Sequence, residues 1–234
     1  SGMIDDWLAL GDVTTTDADP TITLAEFSSG YLASPDHFGE APETSRTYCN
    51  AGFGVLGAIV EAASGEDFRA RSEAELFVPL ALDGAGWFLA DVDPTRLADE
   101  FAWGRREGFS ALPQHGFAFY PAGSMRISVT GLSRWVQAHV DGTLEGTAFL
   151  SPASIALTRT PQYPGVASGQ AFVWERDVIG SESFYGHSGS TYGASANIVV
   201  RDDGDGLVLL TNSDAYLRNR FGDPSGTNAM RAIL

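Results

Sequence analysis

The sequence predicts an α+β fold (α/β in the broad sense), in which helices precede an antiparallel sheet. Residues up to about 165 carry apolar side chains at helical spacing, whereas the segments after Pro164 are short, alternating and rich in β-branched residues. The length of 234 residues suits one domain. We therefore expect a single domain over residues 1–234, with a mainly helical lobe at about 21–165 and an antiparallel sheet with a C-terminal helix at about 166–234.

Helix start and stop signals occur throughout the first part of the chain. Thr23 and Glu26 have the spacing of a capping box, and Gly65 is a natural C-terminal cap for a helix over residues 52–63. Four apolar side chains share one face of that helix, which predicts that this face is buried: Phe53, Leu56, Ile59 and Val60. Further helices are predicted over residues 66–77, 128–140 and 152–159, and irregular structure over residues 11–20 and 85–119.

Strand patterns dominate the C-terminal part. The predicted strands cover residues 170–176, 183–186, 195–201 and 206–211. The run Asp202-Asp-Gly-Asp-Gly206 is a hairpin signal between the last two strands. One short helix is predicted around residues 227–234.

The charge balance excludes whole classes of partner. Thirty acidic residues against fourteen basic ones give a net charge of −16, which would repel a nucleic-acid backbone and an anionic membrane surface. All fourteen basic residues are arginines, so the chain contains no lysine. No step performed by this chain can therefore use a lysine amine as a base.

Cysteine, histidine and hydropathy patterns predict neither a metal site nor a membrane span. The single cysteine, Cys49, excludes an internal disulfide, and the four histidines are too scattered for a metal-binding pair. No apolar stretch reaches membrane-spanning length. We expect no cofactor and no signal peptide in this chain, and Ser1-Gly2 resembles a tag-cleavage remnant.

Three short motifs have the residue types of reaction chemistry. They are Tyr48-Cys-Asn50 before a helix, Tyr120-Pro-Ala-Gly-Ser-Met-Arg-Ile-Ser128, which contains Pro121-Ala-Gly-Ser124 and leads into another helix, and Gly186-His-Ser-Gly-Ser190 at the edge of a strand. Two of them have a plain structural interpretation: a packed ring and a helix cap for the first, and a surface or structural histidine for the last. The last motif also fails as a nucleophile elbow, because its fifth residue is Ser190 and no histidine follows its serine.

In their order and spacing, these motifs resemble the serine β-lactamase-related family, which includes class C β-lactamases, D-Ala-D-Ala carboxypeptidases and related esterases. The resemblance runs from Thr21-Ile-Thr-Leu24 through Tyr48-Cys-Asn50 and His187-Ser-Gly189 to Leu209-Leu-Thr-Asn212, and so covers nearly the whole chain. It implies a β-lactamase/transpeptidase-like fold. It also implies a penicillin-binding-protein-like serine hydrolase that acts on β-lactams, D-amino-acid peptides or small esters through an acyl-enzyme.

The family uses three motifs, of which this chain matches two. Tyr48 and Asn50 match Tyr-x-Asn, in which the phenol helps to move a proton. His187 and Gly189 match His-x-Gly, and the backbone N–H of Ser190 would form part of an oxyanion hole. The resemblance therefore assigns catalytic-site roles to Tyr48, Asn50, His187, Gly189 and Ser190.

The first family motif, Ser-x-x-Lys, has no match. The family places it upstream of the Ile-Thr-Leu segment, where only about twenty residues precede, and the chain has no lysine. A serine without an adjacent base is a poor nucleophile. We therefore expect an N-terminally truncated domain that is inactive as this chain. A sheet edge and an apolar surface should be left uncovered, for a second copy, an N-terminal segment or rearranged local elements to cover.

Three hypotheses follow from these observations. The chain is a truncated or degenerate hydrolase domain; or it is a non-catalytic pseudoenzyme that binds a small-molecule or peptide ligand in the retained cleft; or it is a hydrolase completed by a partner chain or by a nucleophile outside the pattern. The family is often periplasmic or secreted, but the compartment of this chain, like its substrate, has no readable signal in the sequence.

Overall fold

The computed structural model describes residues 2–5, 7–104, 108–179 and 181–214. The predicted C-terminal helix lies outside the described residues. Two compact units divide the chain. The first comprises Ser1–Leu97, Gln114–Gly131 and Tyr163–Ser168, and the second comprises Ala98–Pro113, Leu132–Gln162 and Gly169–Leu234.

The helices lie close to where capping and periodicity signals predict them. Their bounds are α1 Trp7–Asp12, α2 Leu24–Ala33, α3 Ala51–Ser64, α4 Phe68–Ser72, α5 Val129–Asp141 and α6 Pro152–Arg159. The capping box at α2 is confirmed: Thr23 Oγ1 accepts from the Glu26 N–H at 3.1 Å, and Glu26 Oε2 accepts from the Thr23 N–H at 2.8 Å. Gly65 caps α3 in the left-handed conformation, with φ 75°. None of the helices in the described part of the chain is long and apolar enough to cross a membrane.

The strands form one four-stranded sheet and three two-stranded pairs among the described residues. Their bounds are β1 Thr14–Thr16, β2 Glu100–Gly104, β3 Gly108–Leu112, β4 His115–Phe117, β5 Thr143–Leu144, β6 Thr147–Ala148, β7 Glu175–Ile179, β8 Glu182–Thr191, β9 Ala194–Arg201 and β10 Gly206–Thr211. The large sheet is antiparallel with the order β10-β9-β8-β7. This mixture of helices and antiparallel sheet confirms the predicted α+β class.

Two segments predicted to be irregular contain strands. Within residues 11–20, β1 pairs with β4, and within residues 85–119, β2 pairs with β3. The predicted first strand of the sheet is also displaced, from residues 170–176 to Glu175–Ile179. Short strands such as β1, with three residues, carry too little alternation to be recognised, and long-range pairing stabilises them.

Helix α3 buries a different face from the one that its apolar residues predict. Leu56 and Ile59 are 53% and 56% exposed, whereas Ala51, Gly54 and Gly57 are buried. The glycines let the backbone of α3 approach α2 and the segment around Pro121 closely: an added Cβ at Gly57 would lie 2.7 Å from Pro121 Cγ and 2.9 Å from Leu24 Cδ1. The predicted burial of Phe53, Leu56, Ile59 and Val60 as one face is therefore wrong.

Candidate functional site

The Tyr48-Cys49-Asn50 motif lies directly before α3, and the Asp5 carboxylate organises this helix end. Asp5 accepts hydrogen bonds from the backbone N–H groups of Asn50 and Ala51, at 2.9 Å each, and from Asn50 Nδ2 at 2.7 Å. A carboxylate is favoured here because the first N–H groups of a helix have no partners within the helix. Asp5 is therefore the cap of α3. Asn50 makes no capping hydrogen bond, so its predicted structural role as a cap is wrong.

Residues 2–5 are held in place by their own contacts within the first unit. The Ile4 N–H donates to the His37 carbonyl at 3.0 Å, and the Gly39 N–H donates to the Gly2 carbonyl at 2.9 Å. The Tyr31 hydroxyl donates to the Ile4 carbonyl. Met3 is 8% exposed and belongs to the core cluster of this unit. Asp5 thus reaches α3 from an anchored segment.

The residues of the motif differ in exposure and in protonation. The Tyr48 ring is 46% exposed, so it is not the packed ring of the structural interpretation. Burial raises the pKa of the Cys49 thiol to about 11, and the nearby Asp5 carboxylate acts in the same direction. Cys49 is therefore a protonated thiol near neutral pH and lacks the thiolate that a cysteine nucleophile needs.

The Pro121-Ala-Gly-Ser124 motif forms a short 3₁₀ turn over Tyr120–Ala122 that packs in the first unit. The Tyr120 ring contacts the rings of Phe68, Trp87 and Phe88, with centroid distances of 5.9, 5.8 and 5.0 Å. Burial, with help from the Glu61 and Asp67 carboxylates, raises the pKa of Tyr120 above its usual value. This segment packs against α3, and its Tyr120 phenol stays protonated near neutral pH.

The His187-Ser188-Gly189-Ser190 segment lies within β8 of the second unit. Strand β8 pairs with β9 over Phe184–Thr191, but its pairing with β7 extends only from Glu182 to Gly186. Beyond Gly186, this segment therefore has a neighbouring strand on one side only within the described part of the chain. Ser188, Gly189 and Ser190 are exposed, and His187 is half-buried.

The hydrogen-bond pattern between β8 and β9 shows which backbone groups of this segment point to the side of β8 that β7 no longer covers. The Asp202 N–H donates to the Ser183 carbonyl on the β9 side of β8. Backbone groups alternate between the two edges of an antiparallel strand, so the N–H groups of Ser188 and Ser190 point to the opposite side, past β7. The Ser190 N–H thus lies at an open strand edge, as an oxyanion donor requires.

The two glycines of this region have different reasons to be glycine. An added Cβ at Gly186 would lie 2.4 Å from the Ile198 carbonyl oxygen, so packing requires glycine there. At Gly189, the nearest described atom would be Ala196 Cβ at 3.8 Å, an ordinary contact. Packing among the described residues therefore does not require a glycine at position 189.

The structure groups the predicted site residues in two sets. Tyr48 and Asn50 lie together in the first unit, whereas His187, Gly189 and Ser190 lie together in the second. The sequence alone does not indicate the contact of Asp5 with Asn50, because Asp5 lies 45 residues before Asn50 and no local pattern connects them. Among the described residues, no cluster of three or more His, Cys, Asp or Glu side chains could hold a metal ion.

Comparison with known proteins matches this chain to the family described as Beta-lactamase over residues 5–226. The chain belongs to the β-lactamase family. Within this family, it is 28% identical over 194 residues to a penicillin-binding protein 4 from Amycolatopsis lactamdurans, covering 73% of this chain and 48% of that protein. It is 31% identical over 100 residues to a β-lactamase from Escherichia coli K12, covering 43% of this chain and 26% of that protein.

A solved structure supports the same β-lactamase fold. The D-amino acid amidase from Ochrobactrum anthropi SV3 superposes with a TM-score of 0.71 at 18% identity, covering 91% of this chain and 61% of that chain. The predicted resemblance to penicillin-binding-protein-like serine hydrolases is thereby confirmed. The chain spans about half of the Amycolatopsis relative and about a quarter of the Escherichia coli relative.

Proposed function

We propose that this chain contributes the Tyr-x-Asn motif and the His-x-Gly motif to β-lactamase-family acyl transfer and does not form an acyl-enzyme by itself. The observation that carries the proposal is the absence of lysine from all 234 residues. The family's serine nucleophile depends on a lysine one helical turn away, and a serine hydroxyl without a neighbouring base is a poor nucleophile. Acyl transfer therefore needs a Ser-x-x-Lys segment that these residues do not contain.

The retained groups have geometry suited to the roles that the family gives them. The exposed Tyr48 phenol can exchange a proton with a ligand, and Asn50 offers a fixed amide beside it. The Ser190 N–H at the open edge of β8 can donate to a developing oxyanion. Gly189 adds no side chain next to that N–H. These observations support binding and stabilisation rather than nucleophilic attack.

The substrate class follows from the family. We propose β-lactams, D-amino-acid peptides or amides, or small esters as ligands, because the relatives comprise a β-lactamase, a penicillin-binding protein and a D-amino acid amidase. The missing segment would come from a partner chain or from a covalently attached N-terminal segment.

Turnover assays test the proposal directly. The purified chain is incubated with a chromogenic cephalosporin and with an activated ester, beside Tyr48→Phe and the heat-denatured chain. We expect all three preparations to hydrolyse both substrates at the same background rate. Turnover that exceeds the denatured chain and falls in Tyr48→Phe would show a competent enzyme and overturn the proposal. Saturable binding without turnover would instead identify a ligand-binding pseudoenzyme.

A further inference from the structure

We propose that Asp5 is a positioning residue that fixes the side-chain amide of Asn50, with Nδ2 turned toward Asp5 and Oδ1 turned away. The inference rests on the proposed function only in taking Asn50 as a polar residue that lines the reaction site. The orientation of the amide itself is a property of the folded chain and can be measured without any reaction.

The chemistry of the two side chains determines the orientation. An ionised carboxylate can only accept hydrogen bonds, whereas an amide has one donor end and one acceptor end. The Asn50 side chain can therefore face Asp5 only through Nδ2, which lies 2.7 Å from Asp5 Oδ2. A flipped amide would place two acceptor oxygens in contact and lose a charge-assisted hydrogen bond.

The carboxylate is itself rigidly placed. Asp5 Oδ1 accepts from the Ala51 N–H, and Asp5 Oδ2 accepts from both the backbone and the side chain of Asn50. Met3, two residues earlier, is buried in the core of the same unit. The Asp5 side chain therefore has less conformational freedom than a surface carboxylate. Its hydrogen bond to Nδ2 restricts the rotation of the Asn50 amide in turn.

A fixed amide determines what Asn50 offers to a ligand. With Nδ2 engaged by Asp5, the acceptor Oδ1 is the end of the amide that remains for a ligand or a completing segment. The group that binds Oδ1 must be a donor, such as an ammonium or an amide N–H. Asp5 therefore sets the polarity of the Tyr48-Cys49-Asn50 motif without touching the ligand.

The test compares Asp5→Asn and Asp5→Glu with a matched control, Asp67→Asn. Asp67 caps α4 by accepting from the Ala70 N–H at 2.9 Å, so the control loses a helix-capping charge in the same unit without touching Asn50. Asp5→Asn keeps the shape of the side chain and one of its two acceptor oxygens, and Asp5→Glu, which keeps both, serves as the second variant if Asp5→Asn fails to fold. The first readout is solvent exchange of the Asn50 Nδ2 protons by NMR.

We expect exchange of the Asn50 Nδ2 protons to accelerate by about tenfold in Asp5→Asn, as loss of one charge-assisted hydrogen bond implies. Asp5→Glu keeps an acceptor-only carboxylate and should retain part of the protection, whereas Asp67→Asn should match the unsubstituted chain. Unchanged exchange in Asp5→Asn, or an equal change in Asp67→Asn, would overturn the inference.

The single cysteine supplies a second readout at the same place. Cys49 lies between the two residues of the motif, and the Asp5 charge opposes ionisation of its thiol. The midpoint of the pH profile of Cys49 alkylation should fall by about one unit in Asp5→Asn, and stay in place in Asp67→Asn. A profile that does not move in Asp5→Asn would contradict the placement of the carboxylate. Neither readout requires acylation, so an active chain would refute the proposed function and leave this inference standing.

Discussion

Replacing Gly54 by alanine tests the close packing of α3 against the core of the first unit. An added Cβ would lie 2.6 Å from Phe27 Cε1 and 2.8 Å from Phe119 Cβ, both too close for a real contact. The two rings are 5% and 7% exposed, and their centroids lie 5.6 Å apart. Neither ring can therefore move away without disturbing its other neighbours.

The expected magnitude is a difference of two opposing effects. Alanine in place of glycine favours the helix by up to about 1 kcal/mol. Overpacking of a filled core costs about 1–3 kcal/mol, and the short contact to the Phe119 Cβ places this site in the upper half of that range. We therefore expect Gly54→Ala to lower the free energy of unfolding by about 1–2 kcal/mol.

Urea unfolding followed by tryptophan fluorescence measures this difference, and Gly30→Ala is the matched control. Gly30 lies inside α2, with no atom within 4 Å of an added Cβ, so alanine there should stabilise by about 0.4–1 kcal/mol. The denaturant slope should be the same in both variants, because the same surface is exposed. A Gly54→Ala chain as stable as Gly30→Ala would refute the close packing of α3 and α2.

Three further predictions concern other parts of the fold. Burial, and secondarily the charge of Arg159, lowers the pKa of His139 to about 4. As the pH falls, the His139 side chain is therefore protonated at a higher pH in the unfolded chain than in the folded one. The free energy of unfolding should fall by up to about 3 kcal/mol as the pH drops from about 6.5 to about 4. His139→Gln should remove this pH dependence from unfolding curves measured across that range. Thr23→Ala removes the α2 cap and should cost about 1 kcal/mol in urea unfolding; no loss would show that the capping box is not formed in solution. Gly186→Ala should destabilise the second unit strongly, because its Cβ would meet a backbone oxygen at 2.4 Å, whereas Gly189→Ala should leave the melting temperature nearly unchanged. Equal losses would contradict the free space on the sheet face at Gly189.

Local signals explain which parts of the fold the sequence predicts well. The α2 cap depends on residues three positions apart, and the sheet depends on alternation within each strand. The burial of α3 depends instead on which face meets its neighbours. Periodicity predicts that Leu56 and Ile59 are buried, but the structure buries the glycine face, because close approach of α2 needs small residues. Pattern alone cannot distinguish a buried apolar face from one left exposed.

The candidate site shows the same division. The resemblance indicated Tyr48 and Asn50 because they form a short motif, but it could not indicate Asp5, which reaches the motif only in the folded chain. The sequence likewise does not predict the open strand edge beside Ser190, because that edge depends on where β7 ends. Contacts between distant residues are set by the tertiary fold, so they leave no local pattern.

Covalent labelling tests whether this chain alone has a competent nucleophile. The chain is incubated with a fluorescent penicillin and, separately, with a fluorophosphonate, and its intact mass is recorded beside that of a catalytically competent β-lactamase. We predict that only the β-lactamase gains the mass of one probe. A stoichiometric adduct on any serine of this chain, localised by tandem mass spectrometry and lost on denaturation before labelling, would contradict it.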